Sequence, residues 1–402
     1  MKDSSPPAAS LFTRRAALGA LSATPLMMST LAGCGSRAAL ADGATSSSAP
    51  VPPDLKRKLN ALVRQLGESN LLSGAILVDY NGRTVFAAAT GMADRQQTRP
   101  NQHDTIFALG STSKSFTALA VTQLAERGKI DFHAPLGKYL GGFPASIAGT
   151  VTINQLLTHT SGMGDVLGSS QVRRERQSWH SPEQELNGLM SIIRTMPLIS
   201  APGAQFNYSN SGYITLGAVV EAASGGSYYD YVRTNIFRAA AMTSTDFYTR
   251  HQAMTDPRIS HPYFSPTGSE PRQDVTAGLL YIGSPAGDAY SNAADLVRYR
   301  QALFGNRLLN PSFTQVLTTG KIHQPRATVP WHQSDSYAYG LSDARINGKR
   351  LVWHNGGAMG IGSELDMFPD LGVTAVHLSN YGYQALTPVI KETQELISGL
   401  LS

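Results

Sequence analysis

The feature that most constrains the fold is a pair of Asn-Gly turns near opposite ends of the chain. Asn81-Gly82 separates apolar runs within 75–88, and Asn347-Gly348 separates apolar runs within 344–353. Asn-Gly between two apolar runs is a strong hairpin signal, because both residues readily adopt the positive φ that a tight hairpin turn requires. A third hairpin is predicted over 364–378. Strands are therefore expected at both ends of the chain.

Helical patterns lie outside and between these hairpins. Leucine and valine recur at helical spacing from Leu55 to Leu66, and a last helix is predicted from about Pro388 to Leu401. Residues 105–325 are mostly helical in pattern, with loops predicted at 160–182 and 261–287. Strands at both ends around a helical middle predict an α+β fold.

The expected architecture is one antiparallel sheet, built from both chain ends and flanked by helices, with an inserted helical subdomain. The sheet subdomain would comprise about residues 54–104 and 326–402, and the helical subdomain about residues 105–325. The chain has 402 residues, which is more than one minimal domain needs and agrees with two interleaved subdomains.

Composition excludes several classes of protein. The single cysteine excludes an intramolecular disulfide and a multi-cysteine metal site. No histidines form H-E-x-x-H or another close ligand pair, so we expect neither a catalytic metal nor another cofactor. Of the net charge of +5, residues 1–33 contribute +2, and the remaining +3 includes no basic run interleaved with aromatic residues. We therefore expect no nucleic-acid partner, and a monomer.

The first residues have the pattern of an export signal. The pair Arg14-Arg15 precedes a run of small and apolar residues from Ala16 to Ala32, which is too short and too weak for a comfortable membrane span. Paired arginines suggest the twin-arginine route, so residues 1–33 are predicted to be a lipoprotein-type signal. Residues 34–53, rich in Ser, Ala and Pro, would then be a flexible tether.

The end of this signal leaves two alternatives open. Leu31-Ala32-Gly33-Cys34 resembles the lipobox of bacterial lipoproteins, in which the cysteine is acylated and becomes the new N-terminus. Cleavage after Ala39-Leu40-Ala41 would instead release a soluble protein. We favour acylation of Cys34, which would anchor the protein to a membrane as a cell-envelope lipoprotein facing the periplasm or the exterior. Either alternative takes the chain out of the cytoplasm.

The first chemical motif begins at Ser111. Ser111-Thr112-Ser113-Lys114 opens a predicted helix, and residues three apart lie on the same side of a helix, so Lys114 is expected beside Ser111. A serine hydroxyl becomes a good nucleophile when a neighbouring base takes its proton. A lysine that is buried or crowded by another cation loses enough of its charge to help. S-x-x-K is weak evidence by itself, because about one match is expected by chance in a chain of this length.

Two further motifs follow in order. Tyr208-Ser209-Asn210 is a Y-x-N sequence, and His354-Asn355-Gly356 is an H-x-G sequence on a predicted strand. With these three motifs the chain resembles the serine hydrolases that include class C β-lactamases, D-alanyl-D-alanine carboxypeptidases among the penicillin-binding proteins, and carboxylesterases of the same fold. The resemblance extends over about residues 56–400, and it implies a β-lactamase/transpeptidase-like fold.

The resemblance also implies roles for the motif residues. Ser111 would be the acylated nucleophile, with Lys114 and Tyr208 as its proton-transferring neighbours, and which of the two takes the first proton stays open. Asn210 would bind the substrate and hold Lys114. The backbone N–H groups of Ser111 and Gly357 would form the oxyanion hole.

The third motif departs from the pattern of class C β-lactamases. These enzymes typically carry a lysine and a threonine where this chain has His354 and Asn355, and histidine is only partly charged near neutral pH. Glycine at 356 would let the substrate lie close to the strand that His354 and Gly356 line. Weaker anchoring of an anionic substrate favours esters, amides or D-amino-acid peptides over efficient turnover of penicillin.

The resulting hypothesis is an exported serine hydrolase that acts through an acyl-enzyme on amides or esters, such as D-alanyl peptides, β-lactams or short-chain esters. Two alternatives are a transferase that passes the acyl group to an amine or alcohol, and a non-catalytic homologue that binds cell-wall peptide. Other residues are interpreted as structural: His159 and Ser161 in a tight loop, and Asp295 in the first turn of a helix. His332 is predicted at the surface, and Glu364 is left open as a substrate contact.

Overall fold

An antiparallel sheet organises the computed structural model, which describes residues 54–268, 271–324 and 329–399. The export signal predicted for residues 1–33, the acylation site Cys34 and the tether over 34–53 lie outside the described residues. Within the described ranges, no helix combines the length and the apolar character needed to cross a membrane.

The strands of the described residues, in chain order, have the following bounds. They are β1 (Gly74–Tyr80), β2 (Arg83–Thr90), β3 (Met92–Asp94), β4 (Arg99–Pro100), β5 (Phe107–Ala108), β6 (Tyr263–Phe264), β7 (Gln273–Asp274), β8 (Tyr290–Ser291), β9 (Ile322–His323), β10 (Ser334–Tyr337), β11 (Ser342–Ile346), β12 (Lys349–Ala358), β13 (Ile361–Phe368) and β14 (Val373–Ser379).

The α-helices of the same residues lie mostly between the first and the last strands of the sheet. They are α1 (Leu55–Glu68), α2 (Lys114–Glu126), α3 (Ala145–Ala148), α4 (Ile153–Leu157), α5 (Ser170–Glu175), α6 (Pro182–Thr195), α7 (Asn210–Ser224), α8 (Tyr228–Val232), α9 (Arg250–Thr255), α10 (Ala293–Phe304), α11 (Pro311–Thr318) and α12 (Thr387–Ser398).

The main sheet joins the two ends of the chain, as the hairpin signals predict. Its strand order in the described residues is β2-β1-β14-β13-β12-β11-β10-β9, and each neighbouring pair is antiparallel. The two Asn-Gly turns close β1–β2 and β11–β12, with φ of 48° and 88° at Asn81 and Gly82 and of 47° and 75° at Asn347 and Gly348. The predicted α+β fold class is thus confirmed. The exact division into a sheet and a helical subdomain stays a prediction, and β9 lies inside the part assigned to the helical subdomain.

The sheet is covered on both faces. Leu77 and Val352 belong to the larger core, which they share with helices such as α2, α7 and α10, whereas their neighbours Ile76 and Leu351 belong to a second core with α1 and α12. Adjacent residues of a strand point to opposite faces, so both must be apolar when both faces are buried. This explains why the central strands β1, β13 and β14 are buried along almost their whole length.

Helix α2, which begins at Lys114 of the first motif, is buried along most of its length. Its residues from Lys114 to Leu124 are all buried, so every face of this part of the helix packs against the protein. The Phe116 ring packs edge-on against Phe237 and Tyr299, with centroids 5.0 Å apart in each pair. The predicted loop over 160–182 is partly wrong, because α5 lies within it.

Candidate active site

The turn that carries Ser111 packs directly against strand β12. Gly110–Ser113 forms a 3-10 turn, and α2 begins at the next residue. Gly110 has a φ of 49°, and a Cβ at this position would lie only 3.0 Å from the Gly357 nitrogen. Glycine is needed here because it accepts positive φ and allows two backbones to approach closely. The backbone of Ser111 therefore lies beside the end of β12.

Buried hydroxyl groups hold this turn on the sheet. Ser363 of β13 donates a hydrogen bond of 2.6 Å to the carbonyl oxygen of Leu109. The Thr112 hydroxyl lies 2.8 Å from Ser363 Oγ and 3.3 Å from the carbonyl oxygen of His354. Because these bonds join the turn to two neighbouring strands, they position the nucleophile candidate relative to the backbone of β12.

Lys114 lies one helical turn after Ser111, with its amine enclosed by three oxygen atoms. Nζ is 3.1 Å from Ser111 Oγ, 2.7 Å from Asn210 Oδ1 and 2.5 Å from the carbonyl oxygen of Ala286. The side chain is fully buried. The S-x-x-K spacing thus brings the amine and the hydroxyl together as predicted from helical geometry.

Burial lowers the pKa of Lys114 to about 7, because the ammonium ion loses its hydration in the interior. The carboxylates of Asp165 and Asp288 oppose this effect, since a negative charge stabilises the ammonium form. The balance leaves an amine that changes its protonation state near neutral pH, which an exposed lysine does not do.

Tyr208 lies on the other side of the Ser111 hydroxyl. The phenol is hydrogen-bonded to Ser111, and Lys114 Nζ is 4.8 Å from the centre of the ring. Desolvation raises the pKa of Tyr208 above its ordinary value, although the bond to Ser111 lowers it. Of the residue's surface, 42% remains exposed, so the ring is open to the cleft. The phenol is therefore protonated at neutral pH and within reach of a bound molecule.

Asn210 begins α7, with Ser209 as the capping residue. While its Oδ1 accepts the hydrogen bond from Lys114, its Nδ2 donates to Asp165 Oδ2 at 2.8 Å. The amide thus links the carboxylate of Asp165 to the amine. Both polar ends of Asn210 already have partners within the protein.

A chain of hydrogen-bonded rings joins the Y-x-N and H-x-G segments. His159 Nε2 is 3.1 Å from the Tyr337 hydroxyl, which is in turn 3.2 Å from His354 Nε2. The His159 ring also stacks on Tyr208, with centroids 4.2 Å apart and planes inclined by 32°. The loop that contains His159 therefore packs against one face of the Tyr208 ring and holds it in place.

The bonds at the two ends of this chain determine where its protons lie. The Ser209 N–H donates to His159 Nδ1 at 3.0 Å, so the proton of that ring is on Nε2 and is donated to Tyr337. At the other end, His354 Nδ1 donates to the carbonyl oxygen of Asn355 at 2.5 Å, so its Nε2 accepts from the Tyr337 hydroxyl. Both histidines are neutral in this arrangement.

Burial lowers the pKa of His354 to about 3, and the nearby Lys114 lowers it further as a competing cation. The same two causes hold the pKa of His159 well below its usual range. His354 therefore differs from the partly charged side chain that we expected from its residue type. It contributes hydrogen bonds to the site, and no positive charge.

A cavity of about 260 Å³ lies beside Tyr208 and His354. Part of its wall is aromatic, formed by Phe206, Tyr208, Tyr337 and Trp353. The rest of its wall is polar and uncharged, formed by Gln324, Ser342, His354 and Asn355. The cavity gives the cluster a volume into which part of a bound molecule can extend.

The structure thus brings together, in one cluster, the residues of the three motifs. These are Ser111, Lys114, Tyr208, Asn210, His354, Gly356 and Gly357. Ser161 is buried and accepts from the N–H of Met163 in the tight loop. Asp295 accepts from Ser244 and Thr245 at the start of α10, away from the cluster. Cys34 lies outside the described residues.

Two sequence interpretations are corrected. The expected surface position of His332 is wrong, because this residue is buried and its ring lies beside Gln394 of α12. Glu364 is fully buried, and its carboxylate contacts Tyr383 and Gln394 instead of the cluster around Ser111. Glu364 is therefore not placed to contact a substrate at Ser111.

Sequence reasoning missed Asp165, Ala286 and Tyr337, and it interpreted His159 as purely structural. The positive φ of 57° at His159 agrees with the tight loop, but its ring has a second role as the support of Tyr208. These residues come from loops and from a strand far from the motifs, so no local spacing pointed to them. In the described part of the chain, no group of three or more His, Cys, Asp or Glu residues is placed to hold a metal ion.

Comparisons with known proteins agree with this geometry. The Beta-lactamase family model matches residues 59–396 of the chain. Over 342 residues the chain is 29% identical to penicillin-binding protein 4* of Bacillus subtilis. The alignment covers 81% of this chain and 72% of that protein. Over 187 residues it is 35% identical to the esterase EstB of Burkholderia gladioli. That alignment covers 42% of this chain and 46% of the esterase.

A solved structure has the same overall arrangement. The penicillin-binding protein from Bacillus halodurans superposes with a TM-score of 0.71 at 29% sequence identity. The superposition covers 82% of this chain and 99% of that chain. The similarity therefore includes most of the sheet and the helices that position the cluster.

Gly356→Ala is expected to displace the turn that carries Ser111. A Cβ at 356 would lie 1.9 Å from the carbonyl oxygen of Leu109 and 2.5 Å from Ser363 Oγ, so the turn and β12 must separate. We expect the rate at which a fluorophosphonate probe labels the protein to fall by about 10²-fold, since displacements of this size disturb reacting geometry. Gly278→Ala is the control, because no atom lies within 4 Å of its added Cβ. Labelling of Gly356→Ala at the wild-type rate would contradict the proposed close packing.

Proposed function

Because the chain belongs to the β-lactamase family, whose members are serine hydrolases acting on amides or esters, we propose that it works through an acyl-enzyme on Ser111. The observation that carries this proposal is the environment of Lys114. Its amine lies 3.1 Å from the Ser111 hydroxyl and has a pKa lowered to about 7. A neutral amine at hydrogen-bond distance can act as the base that a serine nucleophile requires.

The three neighbours of Lys114 Nζ match a neutral amine. A neutral amine has two N–H groups and one lone pair, whereas an ammonium ion has three N–H groups and no lone pair. Asn210 Oδ1 and the carbonyl oxygen of Ala286 can only accept hydrogen bonds, so they take the two N–H groups. In the neutral amine the lone pair faces the Ser111 hydroxyl, whereas in the ammonium form Nζ donates to that hydroxyl at 3.1 Å. Because the pKa of Lys114 is lowered to about 7, the neutral form is populated at neutral pH, and we assign the first proton transfer to Lys114.

In the acylation step, Lys114 takes the hydroxyl proton while Ser111 Oγ forms a bond to the carbonyl carbon of the substrate. The electron pair of the carbonyl π bond moves to its oxygen, which accepts hydrogen bonds from the N–H groups of Ser111 and Gly357. The packing of the turn against β12 supports this assignment, because preorganised donors would need little reorganisation during the reaction.

Collapse of the tetrahedral intermediate expels an alcohol or an amine. The carbonyl re-forms, the bond to the leaving group breaks, and the leaving oxygen or nitrogen takes a proton from Tyr208. Tyr208 suits this donor role because its raised pKa keeps it protonated. The proton held by Lys114 then restores the phenol. In deacylation, Tyr208 passes its proton to Lys114 and takes one from a water molecule, whose oxygen bonds to the acyl carbon. The bond from that carbon to Ser111 Oγ then breaks, Oγ takes the proton from Lys114, and the acid and the free serine are released.

Ser111→Ala is expected to abolish both turnover and covalent labelling, because it removes the atom that forms the acyl bond. Incubation with p-nitrophenyl acetate and a fluorophosphonate, followed by mass spectrometry, measures both properties. Ser161→Ala is the matched control, since Ser161 is a buried serine outside the cluster, and it should retain activity. Lack of turnover and labelling in the wild type would favour the non-catalytic alternative and would overturn the proposal. A gain of product when an alcohol acceptor replaces water would indicate the transferase alternative.

The pH dependence is expected to follow Lys114. Only the neutral amine accepts the proton of Ser111, so kcat/KM should rise as the pH rises through about 7 and then level off. Asp165→Asn removes a negative charge that stabilises the ammonium form, which lowers the pKa of Lys114 and moves the rising limb to lower pH. Asp230→Asn makes the same charge change at an exposed residue far from the cluster and should leave the limb in place. A limb that stays or moves to higher pH in Asp165→Asn would contradict Lys114 as the base.

We also propose that the protein is exported and anchored through an acylated Cys34, on the support of the sequence pattern in residues 1–34. Mass spectrometry of the mature protein, with and without the signal-peptidase inhibitor globomycin, measures where the chain begins. An acylated N-terminal Cys34, lost in Cys34→Ser, is the expected result. A start at Asp42 would support the soluble exported form instead, and a mature protein that still begins at Met1 would contradict export.

A further inference from the structure

The cavity beside Tyr208 lies where the leaving group of a substrate would be placed. In the proposed function, Tyr208 gives its proton to the leaving oxygen or nitrogen, so that atom must come within hydrogen-bond distance of the phenol. The same residue forms part of the wall of the 260 Å³ cavity. Whatever is attached to the leaving atom can therefore extend into this cavity.

The polar groups of the cavity wall are uncharged, and those of His354 and Gln324 already have partners within the protein. Both ring nitrogens of His354 have partners, since Nδ1 donates to Asn355 and Nε2 accepts from Tyr337. Gln324 Nε2 is 2.8 Å from Ser342 Oγ and 3.3 Å from Asp335 Oδ1. His354 and Gln324 are therefore already bonded within the protein.

The charged groups near the cavity disfavour the binding of a negatively charged ligand. Neither a lysine nor an arginine is present among the described residues that line it. Lys114 is committed to Ser111, Asn210 and Ala286, and the carboxylate of Asp335 lies buried behind Gln324. A carboxylate that entered the cavity would lose water without gaining an opposite charge.

We propose that this cavity binds the leaving group and selects uncharged leaving groups over those that carry a carboxylate. This inference rests on the proposed function, because it uses Tyr208 as the proton donor. The aromatic wall suits an apolar or aromatic alcohol or amine. Esters and capped amides are therefore the expected substrate class, whereas peptides that end in a free carboxylate next to the scissile bond are disfavoured.

A pair of esters with leaving groups of equal size tests this selection. 4-Acetoxybenzamide and 4-acetoxybenzoate transfer the same acetyl group. The leaving group of the first carries a neutral amide, and the leaving group of the second carries a carboxylate. After correction for their rates of hydrolysis by hydroxide, kcat/KM for the benzoate should be at least about tenfold lower. Equal values, or a preference for the benzoate, would overturn the inference while the proposed function stands.

Variants of the wall supply a second, independent readout. Asn355→Lys adds an ammonium group at a half-buried position of the wall, and Asn355→Met has similar length without the charge. The ratio of benzoate to benzamide turnover should rise about tenfold in the lysine variant and stay unchanged in the methionine variant. Ser342→Lys and Ser342→Met repeat the comparison if the first pair folds poorly, as judged by circular dichroism. Unchanged ratios in a folded lysine variant would overturn the inference.

The two proposals fail in different ways. Turnover of the benzamide that Ser111→Ala abolishes supports the acyl-enzyme irrespective of selectivity. If the wild type hydrolyses neither ester and forms no acyl adduct, the proposed function fails, and the assignment of the cavity is overturned with it.

Discussion

The site depends on the burial of one amine. Lys114 lies without solvent contact in the first turn of α2, and its three oxygen neighbours come from three different segments of the chain. Burial removes the hydration that keeps an ordinary lysine charged, while Asp165 and Asp288 limit the effect. The result is a pKa of about 7, which lets the same group hold or release a proton under ordinary conditions. The proposed acylation chemistry follows from that property.

Accurate placement of the reacting groups comes from backbone contacts and small side chains. Gly110 and Gly356 allow the turn before α2 to contact β12, and the hydroxyls of Thr112 and Ser363 fasten the two together. Glycine acts here by leaving space, since an added Cβ would meet backbone atoms. The sheet formed from the two chain ends is thus the rigid element against which the helical segment presents its serine and lysine.

His159 and His354 hold neighbouring aromatic side chains in position and carry no charge. His159 supports the ring of Tyr208, and His354 is joined to it through the hydroxyl of Tyr337. Because both imidazoles are buried near Lys114, protonation of either would place two cations in one dry region. With neutral imidazoles beside it, the pKa of Lys114 is decided by burial and by the carboxylates of Asp165 and Asp288. None of the described residues that line the adjacent cavity carries a positive charge, which connects the proton chemistry of the site to the class of substrate that we infer.

Elements of this protein that have local causes could be predicted from its amino-acid sequence. The two Asn-Gly turns predicted their hairpins, apolar spacing predicted α1, and three ordered motifs predicted which residues meet. Backbone preference and residue periodicity act over a few positions, so they can be read from neighbouring letters. Tertiary structure alone decided the pKa of Lys114, the neutrality of His354 and the roles of Asp165 and Tyr337. Desolvation and charge act through space, and they depend on residues brought together from distant parts of the chain.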